Sequence, residues 1–294
     1  MKIPSSSVVL LSLRTGRMMN FAVLILILTT GAAFGEVEIP LDMAENSVDN
    51  QYQDSTTNMS DINTYLEQER KRSDLGAAWR KGHEWCSDKK KEDDLGGINY
   101  CIALYVYSLN TSINEDFNNA TRGGKTQYTG KTYEWYSLHF FLTHAVQDLK
   151  KIEKKNGIES KVVYRGTTDQ FDVKNKEIRF GSFISSSLEY DVAKKNGKLS
   201  CFEIETCLGA NIANYSANPD QKEVLIPPYE IFKVTKVSRN DSGCGTVYEL
   251  KSTRVNSNLK CADVSNQASG KSLIYHTYVW PIMIFMFSYS ETLW

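Results

Sequence analysis

Three polar features interrupt the strand-like second half of this 294-residue chain. Arg165 follows the run Val162-Val163-Tyr164 and precedes Gly166. A hydroxyl triplet, Ser185-Ser186-Ser187, follows Phe183-Ile184. Glu223 opens the apolar run 223–228, two residues after Gln221. Each residue type can do chemistry. A guanidinium is a charged, forked donor suited to phosphate, a hydroxyl can orient a neighbour, and a carboxylate stabilises positive charge that develops during a reaction. Taken singly, each also has a bland reading as a surface charge, a strand exit or a solvated acid.

The elements that must position these residues follow from periodicity. Residues 60–90 have apolar residues at helical spacing (Ile62, Tyr65, Leu66, then Leu75, Ala78, Trp79), with Ser60 or Asp61 as the cap. Residues 96–109 and 133–155 read as two further helices, and the Gly- and Asn-rich segment between them reads as a loop. Residues 36–60 are polar and acidic and read as an extended leader. After Gly157 the segments 161–167, 177–188, 199–216, 223–240 and 245–253 are β-rich with short turns. Helices first and strands later, without βαβ alternation, predict an α+β domain. Its mainly helical N-terminal half packs on a mostly antiparallel β core.

Both ends read as processing signals. Residues 1–35 have basic residues (Lys2, Arg14, Arg17) ahead of a short apolar run that ends in small residues, as a signal peptide does. Residues 265–294 place Ser265, Ala268, Ser269 and Gly270 before an apolar tail, as a glycosylphosphatidylinositol (GPI) signal does; a short transmembrane anchor or a plain secreted end are the alternatives. Removing both leaves roughly 230 residues, 36–264, enough for a single domain.

The charges nearly cancel, 34 basic against 35 acidic, so nothing in the electrostatics argues for nucleic acid. Six cysteines, Cys86, Cys101, Cys201, Cys207, Cys244 and Cys261, give an even count in an exported chain and suggest disulfides. No CxxC pair occurs, the four histidines are scattered, and no metal site is expected. Sequons at Asn58, Asn110, Asn119, Asn214 and Asn240 fit a secreted glycoprotein. The segment 122–126 (RGGKT) lacks the GxxxxGK[ST] spacing of a phosphate loop and reads as a turn.

Together, and in this order, Arg165, Ser185-x-Ser187 and Glu223 match the pattern of the arginine–serine–glutamate ADP-ribosyltransferases. The blocks DNQYQ (49–53), LYVYSLN (104–110), LHFFLTHAVQDLKK (138–151), VYRGT (163–167), RFGSFISSSL (179–188), TCLGANI (206–212) and KEVLIPPYEIFKV (222–234) extend the likeness. The chain resembles the vertebrate ecto-ADP-ribosyltransferases over nearly all of its mature length. The resemblance implies the ADP-ribosyltransferase fold, NAD or NADP as co-substrate, no prosthetic group, and transfer of ADP-ribose to extracellular or cell-surface proteins at arginine. It also implies residence in the secretory pathway and at the cell surface, lipid-anchored or secreted.

By that resemblance Glu223 stabilises the oxocarbenium-like centre at C1′ and bonds the ribose 2′-hydroxyl. Arg165 clamps the NAD phosphates, Gly166 lets the backbone approach the ligand, and Ser185 orients Glu223 and holds the nicotinamide ribose. Gln221 stands on the acceptor side.

Two departures qualify the likeness. Arginine-modifying members carry a second Glu where this chain has Gln221; an amide offers no charge and is a very poor base, so NAD cleavage is expected to survive while arginine transfer is put in question. The alternatives are an enzyme that mainly hydrolyses NAD, or a catalytically silent adhesion module. Cys207 and Cys261 match family positions, but their usual partners are absent, Ser160 and Asp54 lying close to those places. Cys86, Cys101, Cys201 and Cys244 are left to supply alternatives, and Cys86–Cys101 near the helices and Cys244–Cys261 across the last strands are the pairings expected, neither of them fixed by the spacing.

Overall fold

A computed structural model describes residues 38–255, apart from 54–58, 90–94, 110 and 174. The terminal signals, Cys261, Asn58 and Asn110 lie outside the described residues.

The helices are α1 (Met59–Glu69), α2 (Ser73–Lys89), α3 (Ile98–Tyr107), α4 (Ser112–Gly123), α5 (Lys125–Thr129), α6 (Tyr136–Lys155) and the one-turn α7 (Tyr190–Ala193). The strands are β1 (Ile39–Leu41), β2 (Lys161–Thr167), β3 (Phe171–Val173), β4 (Glu177–Arg179), β5 (Ile184–Ser187), β6 (Ser200–Thr206), β7 (Ala210–Asn211), β8 (Glu223–Ile226), β9 (Glu230–Asp241) and β10 (Cys244–Val255). Eight strands form one sheet in the order β4-β9-β10-β6-β2-β5-β8-β7, while β1 and β3 form a small parallel pair. Within the large sheet the β6–β10 ladder is parallel and the others are antiparallel. The α+β expectation therefore holds.

The layers share their core. Helix α3 is buried from Tyr100 to Tyr107, and α6 buries Leu138, Phe141, Leu142 and Ala145. These side chains join Phe183, Ala210, Ile212 and Leu225 from the sheet in one apolar cluster. Val163, Phe202, Ile204, Val224, Ile226 and Phe232 form a second cluster. Strand β8 thus alternates between the two, with Leu225 in one and Val224 and Ile226 in the other. That is why its sequence is apolar throughout rather than alternating.

The expected helix over 60–90 is two helices. The chain turns at residues 70–72, and Gly76 sits so close to that turn that an added Cβ would lie 2.3 Å from the Arg70 carbonyl oxygen. Helix α6 begins against α1: the Glu69 carboxylate accepts the Ser137 N–H at 2.8 Å, the Leu138 N–H at 3.4 Å, and the Ser137 hydroxyl. A side chain from a neighbouring helix thereby satisfies donors that a helix start leaves free.

Three further expectations are corrected. The Asn- and Gly-rich segment is not a loop but forms α4 and α5, with Arg122 and Gly123 closing one and Lys125 opening the other. Ile113, Phe117 and Thr121, four residues apart, lie along the buried side of α4, and this packing overrides weak propensity. The acidic stretch after residue 40 is not an extended leader. Ser47, Val48, Asp49, Asn50 and Tyr52 are buried: Arg179 reaches back to the Met43 carbonyl at 2.9 Å, the Ala44 carbonyl at 2.8 Å and the Asp49 carboxylate, while Asn50 bonds Tyr128 and Tyr52 bonds His139.

The third correction concerns a disulfide. Cys86–Cys101 links α2 to α3 as expected, but Cys244 pairs with Cys201, not Cys261. The parallel register sets Val247 beside Cys201, so Cys244 at the head of β10 comes to a Cα separation of 6.1 Å. Cys207 is half-buried and forms no disulfide among the described residues.

Candidate active site

The candidate residues lie where three strands meet. Strand β2 pairs with β6 along its whole length, from Lys161–Thr206 to Thr167–Ser200, but meets β5 in register at Tyr164 and Ser187. Beyond that point the Arg165 guanidinium donates through Nη1 to the Ser185 carbonyl at 2.9 Å. The arginine thus ties two strands together at the place where their ladder stops. Strand β8 lies on the far side of β5, with Ser185 opposite Leu225 and Ser187 opposite Glu223.

Glu223 is 4% exposed. Its carboxylate accepts the Ser216 hydroxyl at 3.4 Å. Burial raises its pKa above the usual carboxylate range, against the opposing pull of Ser185, Ser216 and the Arg165 charge. Its backbone carbonyl accepts the Ile212 N–H at 2.9 Å, fixing the strand against the preceding loop. Arg165, Ser185 and Glu223 are therefore brought together.

Gln221 faces the other way. It ends a short 3-10 turn, residues 219–221, and is exposed while Glu223 is buried. Lys222 between them has a φ of 46°, a left-handed conformation that costs an L-residue about 1 kcal/mol. Two contacts hold this reversal: the Ser187 hydroxyl donates to the Gln221 carbonyl at 2.7 Å, and the Lys222 ammonium pairs with Glu189.

Gly166 is hemmed in by the chain itself. A Cβ there would lie 2.4 Å from the Gly197 carbonyl oxygen and 2.7 Å from that of Ala193, so the backbone after α7 packs directly on β2 beside Arg165.

Two neighbours were not singled out by sequence reasoning. Tyr107 is buried, donates to the Phe183 carbonyl at 3.0 Å and accepts from Asn118 at 3.0 Å, with burial raising its pKa. It lies in the electrostatic neighbourhood of both Arg165 and Glu223. It belongs to the block at 104–110, but its helical spacing alone reads as core. Ser216, buried in the loop before the 3-10 turn, carries no sequence signal beyond standing seven residues before Glu223.

His139, by contrast, is structural. Its ring bonds the Val48 carbonyl and the Tyr52 hydroxyl, each at 2.9 Å, and burial lowers its pKa to about 4. Among the described residues no cluster suited to a metal ion occurs, and no helix is long and apolar enough to cross a membrane.

Comparison with known proteins decides what this geometry belongs to. Residues 41–257 match the family described as ART: NAD:arginine ADP-ribosyltransferase. The chain belongs to that family. It is 35% identical to mouse T-cell ecto-ADP-ribosyltransferase 2, over 76% of this chain and 78% of that one. It is 32% identical to mouse GPI-linked NAD(P)(+)--arginine ADP-ribosyltransferase 1, over 72% and 69%. The crystal structure of the mono-ADP-ribosyltransferase ART2.2 superimposes with a TM-score of 0.65 at 32% identity, covering 76% of this chain and 98% of that one. An ART2.2 mutant in complex with NAD superimposes at 0.63. The family assignment makes the chain a mono-ADP-ribosyltransferase with NAD as its co-substrate.

Proposed function

We propose that Glu223, Ser185 and Arg165 are the working residues of this transferase. The observation that carries the reading is the convergence of a buried carboxylate, a hydroxyl and a guanidinium at the β2–β5–β8 junction. Cleavage breaks the bond between C1′ of the ribose and the nicotinamide nitrogen. The electron pair leaves with neutral nicotinamide, and positive charge accumulates at C1′. The ionised Glu223 carboxylate stabilises that charge, as carboxylates do in glycoside cleavage. Ser185 orients the carboxylate, and the Arg165 guanidinium holds the phosphates. The acceptor nucleophile then bonds to C1′ and gives up its proton.

The acceptor side is the exposed turn at Gln221. Arginine is the acceptor in the family's description, and here the turn offers it an amide that can accept a hydrogen bond but carries no charge. Arginine transfer by this chain is accordingly slow relative to NAD cleavage, and Gln221→Glu raises it. Incubating the ectodomain with labelled NAD and an arginine analogue tests this. The expected result is an ADP-ribosyl adduct whose yield increases in the variant; free ADP-ribose alone from both proteins contradicts it.

The signal at 1–35, the tail at 265–294 and the ecto and GPI-linked relatives support export to the cell surface or the extracellular space. Asn119, Asn214 and Asn240 are exposed, as glycan carriers need to be. Release of the protein by a phosphatidylinositol-specific phospholipase tests the lipid anchor.

A further inference from the structure

We propose that Ser216 is a positioning residue for the catalytic carboxylate, one hydroxyl joining Glu223 to the loop that presents the acceptor turn. The inference rests on the reading of Glu223 given above. Ser216 is 1% exposed. Its hydroxyl donates to Glu223 Oε2 at 3.4 Å and accepts the Asn218 N–H at 3.0 Å, so the oxygen is used in both directions. Glu223 is thus tied by a hydroxyl to the loop after β7, while the Ser185 hydroxyl on β5 also favours its ionised form.

That loop is itself anchored. The Ala217 N–H donates to the Ser108 hydroxyl at 2.7 Å, and the Asn218 side-chain amide donates to the Ser108 carbonyl at 2.9 Å. Ser108 follows the last residue of α3, so the anchor point is a rigid, buried helix. Directly after Asn218 the chain enters the 3-10 turn that ends at the exposed Gln221, then reverses at Lys222 into β8. The carboxylate and the acceptor turn consequently share one mooring. A nucleophile delivered at Gln221 approaches a carboxylate whose position is set from the same loop.

The charged and titratable groups around Glu223 are Arg165 from β2 and Tyr107 from α3. Arg165 favours the ionised carboxylate, as do the Ser185 and Ser216 hydroxyls. Removing the Ser216 hydroxyl leaves Arg165 and Ser185 in place and withdraws one stabilising donor. The carboxylate then protonates more readily, and the acid limb of the NAD-cleavage profile moves to higher pH.

The test is steady-state NAD cleavage as a function of pH for the wild-type ectodomain, Ser216→Ala, Ser216→Thr, Ser216→Cys and Glu223→Gln. Ser216→Ala is expected to lower kcat about three- to tenfold, the scale of one lost hydrogen bond to a charged group, with KM for NAD little changed. Its acid limb shifts to higher pH, and Ser216→Thr restores both. Ser216→Cys keeps the volume with a weaker donor and falls between, which preserves the test should the alanine variant fail to fold. If Ser216→Ala, or Ser216→Cys in its place, lowers the melting temperature but leaves kcat and the acid limb at wild-type values, the positioning role is overturned. Turnover retained by Glu223→Gln removes the carboxylate reading and this proposal with it.

Discussion

Ser187 stands opposite Glu223 in the β5–β8 register, and its hydroxyl donates to the Gln221 carbonyl at 2.7 Å. The hydroxyl triplet therefore acts along its whole length. Ser185 favours the ionised Glu223 carboxylate and lends its carbonyl to Arg165, Ser186 donates to the Val224 carbonyl at 2.8 Å, and Ser187 secures the turn at Gln221. A run of hydroxyls that reads in the sequence as a strand exit here ties β5 to β8 and to the turn before it.

Arg165→Lys is expected to raise KM for NAD about tenfold while the fold is kept. The guanidinium spends one arm on the Ser185 carbonyl and has others to offer a phosphate, whereas an ammonium is a single point charge without the planar fork. Initial-rate measurements over a range of NAD concentrations check this, and an unchanged KM contradicts the phosphate role.

Glu69 predicts a pH dependence of stability. Burial raises its carboxyl from the ordinary 4.5 to about 7, against the donors at the start of α6 and the charge of Arg72. Between those values the folded protein holds a proton that the unfolded chain has lost. The stability that this group contributes is therefore present in full below about 4.5 and is lost as pH rises through about 7. Glu69→Gln removes this titration. Urea unfolding at a series of pH values should show a shallower slope over that window for the variant; identical slopes contradict the assignment.

Reduction separates the two disulfides by their loops. Cys86–Cys101 spans 15 residues and Cys201–Cys244 spans 43. Loop-closure entropy assigns about 3 kcal/mol to the shorter and about 4 kcal/mol to the longer. Peptide mapping without reduction should recover Cys201 joined to Cys244, and unfolding of Cys201→Ser/Cys244→Ser should show the larger loss. A Cys244–Cys261 peptide contradicts the pairing.

Much of this was legible in the residues. Strand β8 announced itself by its apolar run, although the segment read as 223–240 divides at Pro227-Pro228 into β8 and β9, and α6 announced itself by its stripe of aromatic and aliphatic side chains. What escaped depends on partners distant in sequence. Asp49 looks like a solvated leader residue until Arg179, 130 positions away, is seen beside it, and Asn50 until it is seen to bond Tyr128. Helix α4 has poor formers in Asn114, Asn118 and Asn119, and is made by what Phe117 packs against. The partner of Cys244 follows from a parallel ladder that local periodicity cannot express. In the candidate site, order and type single out Arg165, Ser185 and Glu223, and the fold brings the three strands that carry them together. The outward turn of Gln221 and the reach of Ser216 needed the backbone reversal at Lys222.

The proposed chemistry centres on Glu223, and its most direct test is NAD turnover by Glu223→Gln. The amide keeps size and hydrogen bonding but cannot hold the negative charge that the developing cation at C1′ requires. Release of labelled nicotinamide should fall about a hundredfold or more, with NAD binding and melting temperature close to wild type. Nicotinamide release at the wild-type rate from a folded variant contradicts the assignment of the carboxylate.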